Sequence, residues 1–230
     1  LLPRQTVTET AVLNIPLASK EGFIRQILGW REFVRHVHRE TDGFRQLPAG
    51  CPPVAPTPGD AGYASWRATL WTPSKAKDEL DGGARPSYLT AHAPLPSAYW
   101  GAKSGLACLD RVVADVWAEG YSHHITRLMV LSNLATLLDV SPRELTDWFW
   151  VAYTDAFDWV VEPNVLAMGT YAVGDLMTTK PYVSGAAYIA KLSDYCKTCQ
   201  FNPNTNCPIT SMYWAFLARH ASVLNNNVRM

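Results

Sequence analysis

The sequence has little charge and no long apolar run. Only 17% of its 230 residues are charged and 48% are hydrophobic, which is typical of a globular protein with a large interior. The 20 Lys and Arg residues balance the 20 Asp and Glu residues, so any basic patch that attracts nucleic acid has to be local. No apolar run approaches the roughly 18 residues of a membrane helix, and no signal peptide is visible. We therefore expect no membrane contact.

The sequence also lacks strand signals. No segment alternates apolar and polar residues for long enough to form a strand, and there is no internal repeat or low-complexity tract. Ser141-Pro142-Arg143-Glu144 has the pattern of a capping box with proline at the first helical position, which predicts a helix from there to about Phe157. We predict an all-α fold in one domain, with a Pro/Gly-rich insertion at about 48–85 and short helices within 160–185. Apolar residues recur at helical spacing in four further stretches: 19–40, 106–119, 122–138 and 209–224.

Cysteine is scarce, but four of the five cysteines form a metal-ligating pattern. Cys196 and Cys199 make a C-x-x-C pair, Cys207 precedes Pro208, and Cys108 stands alone upstream. A C-x-x-C turn directs two thiolates at one centre, and a cysteine followed by proline is familiar in iron–sulfur ligation. The spacing leaves open zinc, a 4Fe-4S cluster and a set of unrelated buried cysteines. An odd cysteine count with this spacing favours a reducing, cytoplasmic location over a disulfide framework.

Several short motifs, taken in order, resemble the photolyase/cryptochrome family. The stretch from Glu21 to Phe33 contains Trp-Arg-Glu-Phe, which is similar to a helix of that family's flavin-binding domain. The resemblance is to the prokaryotic branch of iron–sulfur (6-4) photolyases and bacterial cryptochromes, and it runs from about residue 14 to 224 without 48–85. The other motifs are Leu95-Pro96, Tyr99-Trp100, Tyr121-Ser122-His123-His124, Pro163-Asn164-Val165, Lys180-Pro181-Tyr182-Val183-Ser184-Gly185 and Ser193-Asp194-Tyr195-Cys196.

This resemblance implies two cofactors. One is a 4Fe-4S cluster held by Cys108, Cys196, Cys199 and Cys207, in a region formed by 106–119 and 190–224. Cys51 is then the one cysteine that does not bind the cluster. The other is FAD in an all-α domain, with contacts from Gln26, Trp30, Arg31, Asp155, Asp158 and Asn164. The family's N-terminal α/β antenna domain and its Ser-rich phosphate-gripping segment are missing from the sequence. We therefore expect a C-terminal fragment without an antenna chromophore, and FAD binding by the fragment alone stays open.

The implied activity is light-driven repair of (6-4) photoproducts in UV-damaged DNA by electron transfer from reduced FAD, in a protein that we expect to be monomeric. His123 and His124 correspond to a histidine pair beside the lesion, where a proton donor assists transfer of a hydroxyl group between bases. Read without the family, the pair is a partly exposed polar feature. Trp148 and Trp100 correspond to rings that pass electrons to the flavin. The lesion pocket corresponds to residues that alone would be assigned to a core: Leu128, Met168, Tyr182 and Tyr188.

Two other functions fit the same motifs. A cryptochrome-like blue-light photoreceptor would keep both cofactors but would not repair DNA. A non-catalytic Fe–S module would bind nucleic acid without flavin, because the cluster region also resembles that of the primase large subunit. Three positions depart from the branch: Phe149 stands where relatives can carry tyrosine, Val161 where they can carry a polar residue, and Glu162 where they carry an apolar residue.

Overall fold

The computed structural model describes residues 14–45 and 83–225, together with residues 5, 8–10, 12, 47 and 227. Within these ranges there is no strand and only one isolated bridge, between Ala93 and Val140. The prediction of an all-α fold is therefore confirmed for the described chain. The α-helices are α1 (Leu17–Ile24), α2 (Phe33–Glu40), α3 (Ala107–Glu119), α4 (His124–Thr126), α5 (Asn133–Leu137), α6 (Pro142–Ala152), α7 (Asp158–Val161), α8 (Ala186–Leu192), α9 (Pro208–Arg219) and α10 (Ala221–Leu224).

Three π-helical segments interrupt these helices: π1 (Arg25–Glu32), π2 (Arg127–Ser132) and π3 (Glu162–Gly169). The predicted helix over 19–40 is continuous from α1 to α2, but its middle is π1. The predicted helix over 122–138 likewise contains π2 between α4 and α5. Short 3-10 turns complete the fold at Ser97–Trp100, Gly174–Leu176 and Tyr195–Lys197. Most of the predicted insertion lies outside the described residues, and so does Cys51.

Helix α3 forms as its apolar spacing predicts. Its buried residues recur every three or four positions, so one face enters the main core: Cys108, Leu109, Val112, Val113 and Val116. The helix ends at Gly120, whose φ is +62°. A Cβ at this glycine would lie 2.7 Å from Cγ2 of Thr154, so both the conformation and the close approach require glycine.

The predicted capping box at α6 is wrong in its contacts, although the helix begins where expected. The Ser141 side chain makes no capping hydrogen bond, and Oε2 of Glu144 accepts the backbone N–H of Leu95 at 2.7 Å. The helix ends at Ala152 and does not reach Phe157, because the chain turns to place Thr154 against Gly120. Both the backbone N–H and the hydroxyl of Thr154 donate to the Gly120 carbonyl, at 2.9 and 3.2 Å.

The predicted C-terminal helix over 209–224 is divided in two. His220 leaves helical geometry, with φ −100° and ψ 13°, between α9 and α10. Its Nε2 lies 3.1 Å from Oδ1 of Asp139, and Nε of Arg219 lies 2.8 Å from Oδ2 of the same carboxylate. Arg219 also donates to the Leu137 carbonyl at 2.8 Å. These contacts hold the end of α9 against the end of α5.

A buried group of charges joins α2, α6 and π3. Glu162 is 1% exposed, and its carboxylate contacts Nε2 of His38 at 2.8 Å and Nη1 of Arg143 at 3.1 Å. Two glycines with positive φ make room for it. A Cβ at Gly43 would lie 2.9 Å from Oε2 of Glu162, and one at Gly83 would lie 2.6 Å from Nη1 of Arg143. The unusual acid at position 162 is therefore accommodated by the buried Arg143 guanidinium, the buried His38 ring and two close-approaching glycines.

Across the part of the chain that the structure describes, no helix has both the length and the apolar character needed to cross a membrane.

Candidate functional site

A cleft of about 860 Å³ opens where the three π-helical segments meet. Its volume lies within the roughly 300–1,000 Å³ that is usual for ligand and cofactor sites. π-Helical turns often occur at functional sites, and here all three face the same cleft. They supply Arg25, Gln26, Gly29, Trp30 and Arg31 from π1, Arg127, Leu128, Met129 and Ser132 from π2, and Asn164, Val165 and Met168 from π3.

Most of the predicted site residues line this one cleft, although they lie far apart in the sequence. The cleft-lining members of the predicted set are Gln26, Trp30, Arg31, His124, Leu128, Asp155, Asn164, Met168, Tyr182 and Tyr188. Apart from the four cysteines, four predicted residues are not part of its lining: His123, Asp158, Trp148 and Trp100. Asp158 is the first residue of α7. Burial raises the pKa of its carboxyl group above the usual range, and the nearby carboxylate of Glu162 raises it further.

Trp30 is held in the cleft by Asn164. Its indole N–H donates to Oδ1 of Asn164 at 3.1 Å, and Nδ2 of Asn164 donates to the Val160 carbonyl at 2.7 Å. A primary amide has further hydrogen-bonding capacity beyond these two bonds. The pair therefore provides a fixed aromatic wall beside an amide that can still bind a ligand.

Arg127 brings a positive charge into the lining of the cleft. Its Nη1 lies 2.9 Å from Oδ1 of Asp155, and its Nε donates to the Ser122 carbonyl at 2.8 Å. The guanidinium lies 4.2 Å from the ring centroid of Tyr153 and 5.0 Å from that of Tyr121. These contacts with a carboxylate, a carbonyl and two aromatic rings fix the position of the Arg127 guanidinium, and therefore of its positive charge, in the cleft.

The two histidines have different environments. Nδ1 of His123 accepts the backbone N–H of Ile125 at 3.2 Å, so this side chain caps α4. His124 lines the cleft, and its pKa lies below the usual histidine range. Partial desolvation is the main cause, and the positive charge of Arg127 contributes. The neutral ring is therefore favoured at neutral pH, with one nitrogen carrying a proton and the other able to accept one.

The predicted tryptophans lie behind the cleft wall. Trp148 is 1% exposed and contacts Phe149 and Tyr153, with ring centroids 5.3 and 6.1 Å apart. Phe149 and Tyr153 line the cleft and stack on each other at 4.9 Å. Sequence reasoning missed Tyr153, although its position five residues after Trp148 places it just past the end of the same helix. Trp100 is 57% exposed, at the end of a 3-10 turn.

A second, small cavity is lined by all four predicted cysteine ligands, among apolar neighbours such as Ile189. Burial, followed by the nearby thiols, raises the pKa of Cys108 to about 12, and the pKa values of Cys196 and Cys207 are also raised. Bringing several thiolates together in an apolar cavity is unfavourable without a positive centre. Within the described ranges, no group of three or more His, Cys, Asp or Glu side chains is arranged to hold a metal ion. The space between the four thiols is about 10 Å³.

Comparison with known proteins agrees with the motifs. The chain is 33% identical over 220 residues, or 94% of its length, to the (6-4) photolyase of Agrobacterium fabrum. The chain belongs to the photolyase/cryptochrome family. This member spans 36% of the length of that photolyase. A stretch of 74 residues, or 32% of the chain, is 35% identical to an uncharacterised protein of Acanthamoeba polyphaga mimivirus, and covers 60% of it. No protein-family profile matches.

Proposed function

We propose that this photolyase/cryptochrome chain forms the cofactor- and lesion-binding part of an enzyme that uses light to repair (6-4) photoproducts in UV-damaged DNA. The cleft carries the proposal, because it gathers predicted flavin contacts and predicted lesion contacts around one volume of about 860 Å³. The match over 94% of the chain to a (6-4) photolyase supports it.

FAD is the proposed cofactor of this cleft. The residues that would hold it are Gln26, Trp30, Arg31, Asp155 and Asn164, all of which line the cleft. They combine a flat aromatic surface, a cation suited to phosphate and polar groups suited to a ring edge. The donor set and the volume fit the group. When bound and reduced, FAD would supply the electron that light transfers to the lesion.

The proposed lesion pocket occupies the apolar side of the same cleft. Leu128, Met129 and Met168 form a buried cluster, and Tyr182 and Trp30 pack against it. A damaged base pair that stacks poorly is extruded at lower cost, and an apolar pocket with aromatic edges suits such a base. In the cleft lining, the neutral ring of His124 would hydrogen-bond the lesion and relay a proton during transfer of the hydroxyl group, donating from one nitrogen while it accepts at the other.

The four cysteines are the proposed ligands of a 4Fe-4S cluster. Four thiols suit a soft metal centre, and the other side chains of the cavity lining are apolar except for Tyr195. A positive centre would offset the burial and the mutual repulsion that raise the thiol pKa values. Cys196 and Cys199 are only partly buried and lie on or beside a short 3-10 turn, so their side chains have room to adjust around a group larger than the present space.

Repair of an oligonucleotide that contains one (6-4) lesion tests the function. In the full-length, FAD-reduced protein under blue light, we expect His124→Ala to lower the repair rate by about 10²- to 10⁴-fold, as loss of a general acid does. The matched control is His92→Ala, because His92 is exposed, lies outside the cleft lining and, among the described residues, hydrogen-bonds only the Thr90 carbonyl, at 2.9 Å. It should repair at the wild-type rate.

Two results would redirect the proposal. A wild-type protein that holds FAD and does not repair the lesion would act as a photoreceptor. A wild-type protein with iron but no flavin would act as a nucleic-acid-binding Fe–S module. Unchanged repair by His124→Ala would remove the assigned role of this histidine.

A further inference from the structure

We propose that Tyr153 is a positioning residue of the lesion site, because its hydroxyl fixes the segment 120–124 that carries His124. The inference rests on the proposed function, since it concerns the histidine that would relay a proton to the lesion. Tyr153 follows the last residue of α6, and Ser122 stands two residues before the start of α4. The hydroxyl oxygens of Tyr153 and Ser122 are 2.8 Å apart, although 31 residues separate them in the sequence. One hydrogen bond therefore ties the histidine segment to the end of α6.

Tyr153 is a rigid anchor for this bond. The residue is 5% exposed, and its ring stacks on Phe149 with the centroids 4.9 Å apart and meets Trp148 edge-on at 6.1 Å. Burial raises the pKa of the phenol to about 12, so the group keeps its proton at neutral pH. A protonated hydroxyl can donate or accept, which suits a second hydroxyl as its partner. Because packing holds the ring, the hydroxyl has a fixed position to which Ser122 is bound.

Arg127 completes the arrangement. Its Nε donates to the Ser122 carbonyl at 2.8 Å, and its guanidinium carbon lies 4.2 Å from the ring centroid of Tyr153. The three residues therefore contact one another in a closed set, in which each contact limits the movement of the other two. Desolvation lowers the pKa of His124, and the nearby charge of Arg127 lowers it further. A shift of Ser122 would thus change both the position of His124 and the charge beside it.

The position of His124 depends on the backbone that carries it. Within the described ranges the ring of His124 makes no hydrogen bond. Gly120 anchors the start of the segment, because its carbonyl accepts both the backbone N–H and the hydroxyl of Thr154, at 2.9 and 3.2 Å. Ser122 provides a second anchor, two residues before the histidine. Loss of its bond to Tyr153 should therefore loosen the segment next to the cleft.

Proton transfer is sensitive to such a loss. A proton donor has to lie within about 2.6–3.2 Å of the atom that it serves. A misplacement of about 1 Å can slow an enzymatic reaction by about 10²-fold. Removing the Tyr153 hydroxyl takes away one of several contacts, so we expect a smaller displacement of the His124 ring and a loss of about tenfold in rate.

Tyr153→Phe tests the inference, because it removes the hydroxyl and keeps the ring. In the full-length, FAD-reduced protein under blue light, repair of an oligonucleotide with one (6-4) lesion should be about tenfold slower at saturating DNA. Lesion affinity and FAD content should stay those of the wild type, since the stacked ring remains. Ser122→Ala should have the same effect. The double variant should be no slower than either single variant, because both changes remove the same bond.

A second background separates positioning from packing. In a protein that already carries His124→Ala, Tyr153→Phe should slow repair no further, because the hydroxyl acts through that histidine. The matched control is Tyr171→Phe, because Tyr171 is 3% exposed, hydrogen-bonds Asn227 and lies outside the cleft lining. It should repair at the wild-type rate.

The outcomes distinguish this inference from the proposed function. A wild-type protein that does not repair the lesion would contradict the proposed function, and the role of Tyr153 would fail with it. If the wild type repairs and Tyr153→Phe matches it, the positioning role alone is overturned. The same conclusion holds if Tyr153→Phe loses FAD, or if it slows repair equally with and without the His124 side chain.

Discussion

Replacing Cys199 by serine is expected to remove iron from the protein and to unfold its C-terminal part. The four thiols join α3 to the segment that leads into α9, so a cluster bound there would act as a cross-link between distant parts of the chain. Structural metal centres can supply free energy on the order of 10 kcal/mol to the region that they organise. Cys199 is only partly buried, so serine itself should disturb the packing little. Iron content, helicity and thermal melting measure the effect.

The fifth cysteine offers the control. Cys51→Ser should keep iron, helicity and the melting temperature of the wild type, because Cys51 is outside the proposed ligand set. If Cys199→Ser loses iron but melts like the wild type, the cluster does not stabilise the fold. If the wild type contains no iron when prepared without oxygen, the cluster proposal is wrong.

Replacing Glu162 by alanine is expected to cost about 3–5 kcal/mol in the free energy of unfolding, which is typical when one partner of a buried charge group is removed. The carboxylate binds His38 and Arg143, whose side chains are 5% exposed, and truncation leaves the guanidinium buried without this acid. Urea unfolding followed by circular dichroism measures the loss.

Asp147→Asn provides a matched comparison at the same arginine. Its carboxylate contacts Arg143 at 2.8 Å but is 54% exposed, so its loss should cost no more than about 1 kcal/mol. The double variant Glu162→Met, Arg143→Met should recover much of the stability that Glu162→Ala loses, because no buried charge of that pair remains. Equal costs for Glu162→Ala and Asp147→Asn would contradict the buried-charge account.

The sequence predicted helices well where the apolar pattern was local. Helix α3 follows from its own spacing, and the helix through α1 and α2 has the predicted extent within two residues. The π segments could not be read from the sequence, because each is only six to eight residues long and is too short for its period to be distinguished from that of an α-helix. The capping box does not form, because the carboxylate of Glu144 accepts a hydrogen bond from the backbone N–H of Leu95, 49 residues earlier in the chain. Only the tertiary fold determines that choice.

The candidate site residues were proposed through family resemblance and not through chemistry visible in the residues. Two adjacent histidines cannot be distinguished in sequence, yet only His124 lines the cleft, while His123 caps a helix. Trp148 and Trp100 were singled out by their positions in the family motifs, and neither lines the cleft.

The central claim is that the π-lined cleft holds FAD. The most direct test is the absorption spectrum of the full-length protein, purified without oxygen, together with flavin and iron assays. The account predicts a structured flavin absorption with about one FAD per chain, overlaid on a broad thiolate-to-iron band of about four irons per chain. A correctly folded protein without flavin, and unable to take up added FAD, would contradict it.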